Sequence, residues 1–278
     1  MSAEREPSTR LDLYCAEQGL SRSREKARRE ILAGWVRVNG ETIRVPSKKV
    51  TGREEIVVER PGGRYASRGG YKLERGLDRF GIDVTGRIGL DMGASTGGFT
   101  DCLLQRGAFR VYAVDVGYGQ FDYRLRNDRR VVLYERTNVR HLTPEHFHDT
   151  VDLVTGDLSF ISMTKVYPVV ARLFPGVEAL LLVKPQFEAG PGEQKKGVVR
   201  DPEKLGRVLR RTVDELAGRG ADITGLCASP VTGPKGNREF LVHMYAENGT
   251  AGKVPEAWIE SAILEALEKS GRDGMAGL

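Results

Sequence analysis

Short apolar runs recur along the chain near residues 87–91, 110–115, 131–135, 151–156, 177–183, 222–228 and 239–245. Most intervals between them place apolar residues at helical spacing. Leu73, Leu77 and Phe80 mark a helix over Gly70 to Phe80. Leu205, Val208, Leu209, Val213 and Leu216 mark another over Asp201 to Gly218. Strands of this length alternating with amphipathic helices predict an α/β fold. Its seven-stranded, mostly parallel sheet would carry helices on both faces and one antiparallel strand at the end. Residues 256–269 read as a terminal amphipathic helix, followed by a loose Gly-rich tail.

The first 60 residues follow another rhythm. Thr9 is expected to cap a helix carrying Leu11, Leu13, Tyr14 and Cys15, with Gly19 as its stop. Ser21 is expected to cap a second helix, with Ala27, Ile31 and Leu32 inward and Arg22, Arg24, Lys26, Arg28 and Arg29 on the other faces. Val36-Arg37-Val38 then runs into Asn39-Gly40, a hairpin-turn signal, with Ile43 and Val45 on the return strand and a third strand at Glu55 to Val58. A Pro- and Gly-rich stretch follows. The expected organisation is a small α+β domain over 1–60, a linker over 61–66, a larger domain over 67–250 and a C-terminal helix and tail over 251–278.

Composition narrows the class. With 40% hydrophobic and 29% charged residues the chain is expected to fold. The run Val177 to Val183 falls far short of the roughly 20 apolar residues that span a bilayer. The N-terminus has no apolar signal core, so a cytoplasmic protein is expected. Cys15, Cys102 and Cys227 are widely spaced and odd in number, which points to reduced core residues rather than disulfides or zinc. His146 and His148 lack a nearby third ligand, so no metal site is expected, and His243 reads as structural. The net charge of +5 is uneven: residues 1–72 carry 16 basic and 10 acidic side chains, whereas the rest carry 27 and 28. A basic N-terminal module on a nearly neutral body suits a polyanion, although a solvated surface accounts for charge alone.

The richest segment is Ile88-Gly-Leu-Asp91-Met-Gly93-Ala-Ser-Thr-Gly97-Gly98, a strand running into a glycine turn and a helix. Neither a P-loop Lys nor the G-x-G-x-x-G spacing is present. A second strand, Val111 to Asp115, ends in an acid placed to accept from ribose hydroxyls. Together they suggest an adenosine cofactor without a dominant phosphate site, a description S-adenosylmethionine fits. An ordinary βα turn beside an unrelated Asp is the alternative. Two further strand ends, at Asp157 and Lys184, would face the same crevice as Asp91 and Asp115. Lys184 could instead reach to water. The loop from Glu188 to Gly197, with Lys195 and Lys196, is long and polar and suits a substrate-facing position.

Arg24, Ala27, Ile31, Gly34, Val36, Val38, Asn39 and Gly40 match in order the small RNA-binding fold named after ribosomal protein S-four. That resemblance implies RNA contact through Arg22, Arg24, Lys26, Arg28, Arg29, Lys48 and Lys49, with Arg68 added at the start of the second domain. Beyond it, several motifs resemble the FtsJ-like ribose methyltransferases and, over residues 9–246, the TlyA (hemolysin A) family. They are Tyr65-Ala-Ser-Arg-Gly-Gly-Tyr-Lys72, Asp91 to Asp101, Val114 to Gln120, Asp157-Leu-Ser-Phe160, Val183-Lys184-Pro-Gln-Phe-Glu188 and Gly236-Asn-Arg-Glu239. The resemblance implies a Rossmann-like S-adenosylmethionine-dependent methyltransferase fold and a Lys-Asp-Lys-Glu tetrad at Lys72, Asp157, Lys184 and Glu239. It also implies cofactor contacts at Asp91, Gly93, Ala94, Ser95, Thr96, Gly97, Asp115, Val116, Asn138, Val139 and Asp157. The implied reaction is 2′-O-methylation of a cytidine in 16S ribosomal RNA, 23S ribosomal RNA or both, within ribosomal subunits. A non-catalytic ribosome-assembly factor and a hemolysin are the alternatives.

Overall fold

The computed structural model describes residues 8–21, 23–58, 64–195, 197–246 and 254–273, and the chain divides into two compact units, Met1–Ser67 and Arg68–Leu278. The first unit runs β1 (Thr9–Arg10), α1 (Leu11–Glu17), α2 (Arg24–Leu32), β2 (Val36–Val38), β3 (Glu41–Ile43), β4 (Lys49–Val50) and β5 (Ile56–Val58). Asn39 (φ 50°) and Gly40 (φ 79°) form the turn between β2 and β3, since both central residues of such a hairpin need positive φ. β5 pairs antiparallel with the other edge of β2, and β1 pairs with β4. Leu11, Cys15, Ala27, Ile31, Val36, Val38 and Val50 form the buried core of this unit.

Both expected helix caps are corrected. Thr9 lies in β1, and Arg10 precedes α1 without a side-chain cap. Ser23, not Ser21, caps α2, its hydroxyl accepting from Lys26 N at 3.2 Å. Ser21 instead donates to Glu30 Oε2 at 2.5 Å. Glu30 is fully buried on α2, and a buried carboxylate needs a donor more than an exposed helix end does.

The second unit begins with α3 (Gly69–Phe80) and continues through β6 (Ile88–Met92), α4 (Gly98–Gln105), β7 (Arg110–Val114), α5 (Tyr123–Arg126) and β8 (Val131–Tyr134). β9 (Leu153–Gly156), α6 (Met163–Leu173), β10 (Glu178–Val183), α7 (Pro185–Glu188), α8 (Pro202–Gly218), β11 (Ala221–Ala228), β12 (Phe240–Ala246) and α9 (Glu256–Asp273) follow. The sheet order is β11-β12-β10-β9-β6-β7-β8; β12 pairs antiparallel with β10 and β11, and the other pairs are parallel. Strands buried on both faces are apolar throughout, as in β10, where every residue after Glu178 is buried. One face packs against α6, α8 and α9 through Val166, Leu209 and Ile259. On the other, α3 lies so close that a Cβ on Gly76 would stand 2.7 Å from Leu180. The chain winds outward through β6, β7 and β8 and then returns to place β9 beside β6. That reversal opens a crevice at the C-terminal strand ends, the position at which doubly wound sheets bind ligands.

Candidate active site

Four charged side chains from separate elements meet at this edge. Asp157 follows β9, Lys184 follows β10, Glu239 precedes β12 and Lys72 reaches over from α3. Asp157 Oδ1 lies 2.5 Å from Lys184 Nζ, and its Oδ2 accepts from Lys72 Nζ at 3.1 Å. Lys72 also donates to Glu239 Oε2 at 2.6 Å, and Lys184 donates to Ser159 Oγ at 3.0 Å. Lys72, Lys184 and Glu239 are buried. Burial opposes the charge on Lys72, but Asp157 and Glu239 outweigh it and hold the ammonium above its ordinary pKa. Burial likewise works against the Asp157 carboxylate, and the two lysines outweigh it in turn. Alternating signs thus keep charge at a site that would otherwise expel it.

The glycine turn approaches the same carboxylate. Gly93 has φ 82°, and a Cβ there would stand 2.9 Å from the backbone oxygen of Asp157. Gly97, also in the left-handed region, leads into α4, and a Cβ on it would meet Leu125 at 2.5 Å, so its smallness serves packing against α5. Asp115 pins the turn from the side: Oδ2 accepts from Ser95 N at 2.8 Å and Oδ1 from Gly117 N at 2.6 Å. Ala94 is buried, and Thr96 O accepts from Asp122 N. Val116 is exposed. Asn138 caps a short 3-10 turn through Arg140 N, and Val139 is buried in the core, where its side chain packs rather than faces solvent.

Asp91 is the most telling member. Its Oδ2 accepts from the backbone N and hydroxyl of Thr100 at 2.9 and 2.6 Å, while its Oδ1 is buried without a hydrogen-bond partner. Burial pushes the carboxyl up to about 7. The Thr100 hydrogen bonds oppose that rise, and the charges of Asp157 and Asp115 add to it. A buried carboxyl with one oxygen unsatisfied, beside the acids Asp115 and Asp157, suits a cationic ligand rather than a phosphate.

In the first unit, Arg24 and Arg28 line a concavity of about 550 Å³ together with Arg10, which the sequence reading did not single out. Arg24 is ion-paired with Asp12 at 3.4 Å. Lys26 is half-buried over Trp35, Arg29 is also half-buried, and Lys49 is more exposed than Lys48. Arg68 is exposed at the start of α3, and Arg22 lies outside the described residues.

Two aromatic residues at the active-site edge were also missed. Phe160 is 91% exposed at φ 65°, and its ring centroid lies 5.2 Å from that of Phe187, which sits beside Lys184 Nζ at 5.8 Å. A hydrophobicity pattern counts both as core, so only position within the motif after Asp157 could have flagged Phe160.

A doubly wound sheet with an adenosine-type turn and a Lys-Asp-Lys-Glu cluster at its switch point defines a Rossmann-like methyltransferase. The family profile described as FtsJ-like methyltransferase matches residues 65–246, and that of the S4 domain matches residues 9–56. The chain belongs to the FtsJ-like methyltransferase family and carries an N-terminal S4 domain. The 16S/23S rRNA (cytidine-2′-O)-methyltransferase TlyA of Mycobacterium tuberculosis is 42% identical over 94% of this chain and 97% of its own. Hemolysin A of Brachyspira hyodysenteriae is 42% identical over 84% of this chain and 98% of its own. A solved structure from Streptococcus thermophilus, described as a hemolysin candidate, is 37% identical, with a TM-score of 0.76 over 98% of this chain and all of that one. Among the described residues, no helix is long and apolar enough to cross a membrane.

Proposed function

We propose that this chain transfers a methyl group from S-adenosylmethionine to the 2′-hydroxyl of a cytidine in ribosomal RNA. The observation that carries this reading is Asp157 shared between Lys184 and Lys72, beside a glycine turn whose buried Asp91 has an unsatisfied oxygen. Asp91, the 93–97 turn and Asp115 would hold the cofactor. When bound, it supplies a methyl group already activated by its sulfonium. The protein then has to align the ribose oxygen and manage its proton.

Lys72 is enclosed between two carboxylates and acts on its neighbours. Lys184 is the group we assign to the hydroxyl. Its bonds to Asp157 and Ser159 leave a third position on Nζ for the ribose oxygen. As a neutral amine it would take the hydroxyl proton, and as an ammonium it would orient the oxygen, with the proton leaving after the O–C bond forms. Phe160 offers an exposed face for the base of the same nucleotide. The S4 domain would dock RNA through phosphates, with Arg10, Arg24 and Arg28 around one concavity.

The test is transfer of labelled methyl from S-adenosylmethionine to isolated 30S and 50S subunits, with the modified ribose then mapped. Methyl groups on cytidine 2′-oxygens support the reading. RNA binding without transfer would instead assign the chain to ribosome assembly.

A further inference from the structure

A cavity of about 880 Å³ lies outside the tetrad, between the loop that follows α7 and the loop that precedes β12. Its lining includes Lys195, Arg200, Lys204 and Lys235, with Glu193 and Asp201 as the two carboxylates. Both acids are already engaged. Glu193 is ion-paired with Arg211 at 2.8 Å and accepts from Gly190 N at 2.6 Å, and Asp201 accepts from Lys204 N at 3.0 Å as the cap of α8. The cavity therefore presents an excess of cations, and they stand on fixed backbone. Lys195 and Val198 exchange backbone hydrogen bonds at 2.9 and 3.1 Å, and buried Asn237 ties the two loops together by donating to Gly197 O at 3.0 Å.

The walls are continuous with the tetrad. One loop continues from Lys184 through α7, and the other ends at Glu239. Within the second loop, a Cβ on Gly233 would stand only 2.2 Å from Glu239 Oε1. Lys235 is two residues further on, a backbone reach of at most about 7 Å. An extended polyanion with one ribose at Lys184 would thus pass its neighbouring phosphates along this cavity. Three lysines and one arginine suit phosphates read as charge rather than as sequence.

We propose that this cavity binds the phosphate backbone of the RNA strand flanking the methylated nucleotide. The proposal rests on the ribosomal RNA methyltransferase reading above. Lys195, Arg200 and Lys235 are exposed, so a Lys195→Ala/Arg200→Ala/Lys235→Ala variant of the full chain is expected to fold. With ribosomal subunits as substrate, its KM should rise roughly tenfold and the salt slope of RNA binding should fall by about 2 to 3. Its kcat should stay within about twofold of wild type, and its Kd for S-adenosylmethionine should not change, both limits following from loss of uniform substrate binding alone.

An unchanged KM and salt slope, in a preparation whose wild type methylates subunits, would overturn the proposal and leave the function standing. A weakened cofactor Kd would also overturn it, by making the cavity a cofactor wall. If wild type transfers no methyl group, the function reading fails. Fluorescence anisotropy of labelled ribosomal RNA on the two proteins then still decides the cavity, since equal affinities would refute it.

Discussion

Lys184 and Asp157 form the shortest link in the tetrad, with Nζ 2.5 Å from Oδ1, and they do so at the ends of two neighbouring parallel strands. Because Asp157 also holds Lys72, its removal takes the carboxylate partner from Lys184 and leaves the buried Lys72 with Glu239 alone. Asp157→Asn should therefore lower kcat by at least about 100-fold and destabilise the fold by a few kcal/mol, on the order of 3–5. Lys184→Ala should give a similar loss of kcat with a smaller cost in stability. Lys184→Arg separates the two roles of the amine, since arginine keeps the charge but cannot accept a proton. Substantial turnover in Lys184→Arg, with a flat pH-rate profile, would establish orientation. Turnover near wild type in Lys184→Ala would remove Lys184 from the chemistry.

Gly233 is expected to affect catalysis through Glu239 without touching substrate. An alanine there would place its Cβ against Glu239 Oε1 and drive the carboxylate off Lys72. The displaced group is the end of a side chain, so the fold should absorb the change. Gly233→Ala should reduce kcat by about tenfold or more, the cost of one lost buried charge-assisted contact. Gly218→Ala, with nothing within 4 Å of its added Cβ, is the control. Equal kcat for the two variants would show that the Glu239 position does not matter.

Legibility followed burial. Strands such as β10 were readable to within a residue because a strand covered on both faces must be apolar throughout, and the acids and lysine that end those strands break the pattern where the crevice begins. Lys72 had no such signal. It lies on a helix before the sheet, where one more lysine on an amphipathic surface carries no local mark, and only family resemblance singled it out. Ser21 and Ser23 show the opposite limit. Both can cap a helix, and the choice was made by Glu30, a buried acid nine residues away that claims the Ser21 hydroxyl. Charge pattern placed Arg29 on the outer face, whereas its Nε is buried. These are tertiary outcomes that local spacing does not encode.

Asp91 predicts a pH dependence whose sign is fixed by its raised pKa. Between pH 4 and about 7 the folded protein keeps a proton on Asp91 that the unfolded chain has released. The contribution of this group to stability is therefore greatest at the acid end and falls as pH rises through 7, by an amount on the order of 4 kcal/mol. A cationic ligand near the unsatisfied Oδ1 favours the ionised form, so binding S-adenosylmethionine should release a proton and tighten as pH rises from 5.5 to 7.5. Calorimetry at pH 6 in two buffers of different ionisation enthalpy measures that release. Asp91→Asn should abolish it. Equal apparent enthalpies in the two buffers for wild type would show that Asp91 does not respond to the cofactor.

Phe160 should set function against stability. Its backbone sits at φ 65°, a conformation that costs a bulky residue about 1 kcal/mol or more, and its ring is almost wholly exposed, so little packing offsets the cost. Glycine adopts this geometry freely but also loosens the unfolded chain. Phe160→Gly is therefore expected to leave Tm unchanged or slightly raised, whereas Phe160→Ala keeps the strain and loses the ring. If the ring stacks on the target base, both variants should lose methyl transfer to subunits by about 10-fold or more, the value of one base–aromatic stack, and both should bind S-adenosylmethionine as wild type does. The parallel loss in two variants of different stability would tie the defect to the missing ring. Full methyl transfer by either one would show that the exposed phenylalanine does not meet the substrate.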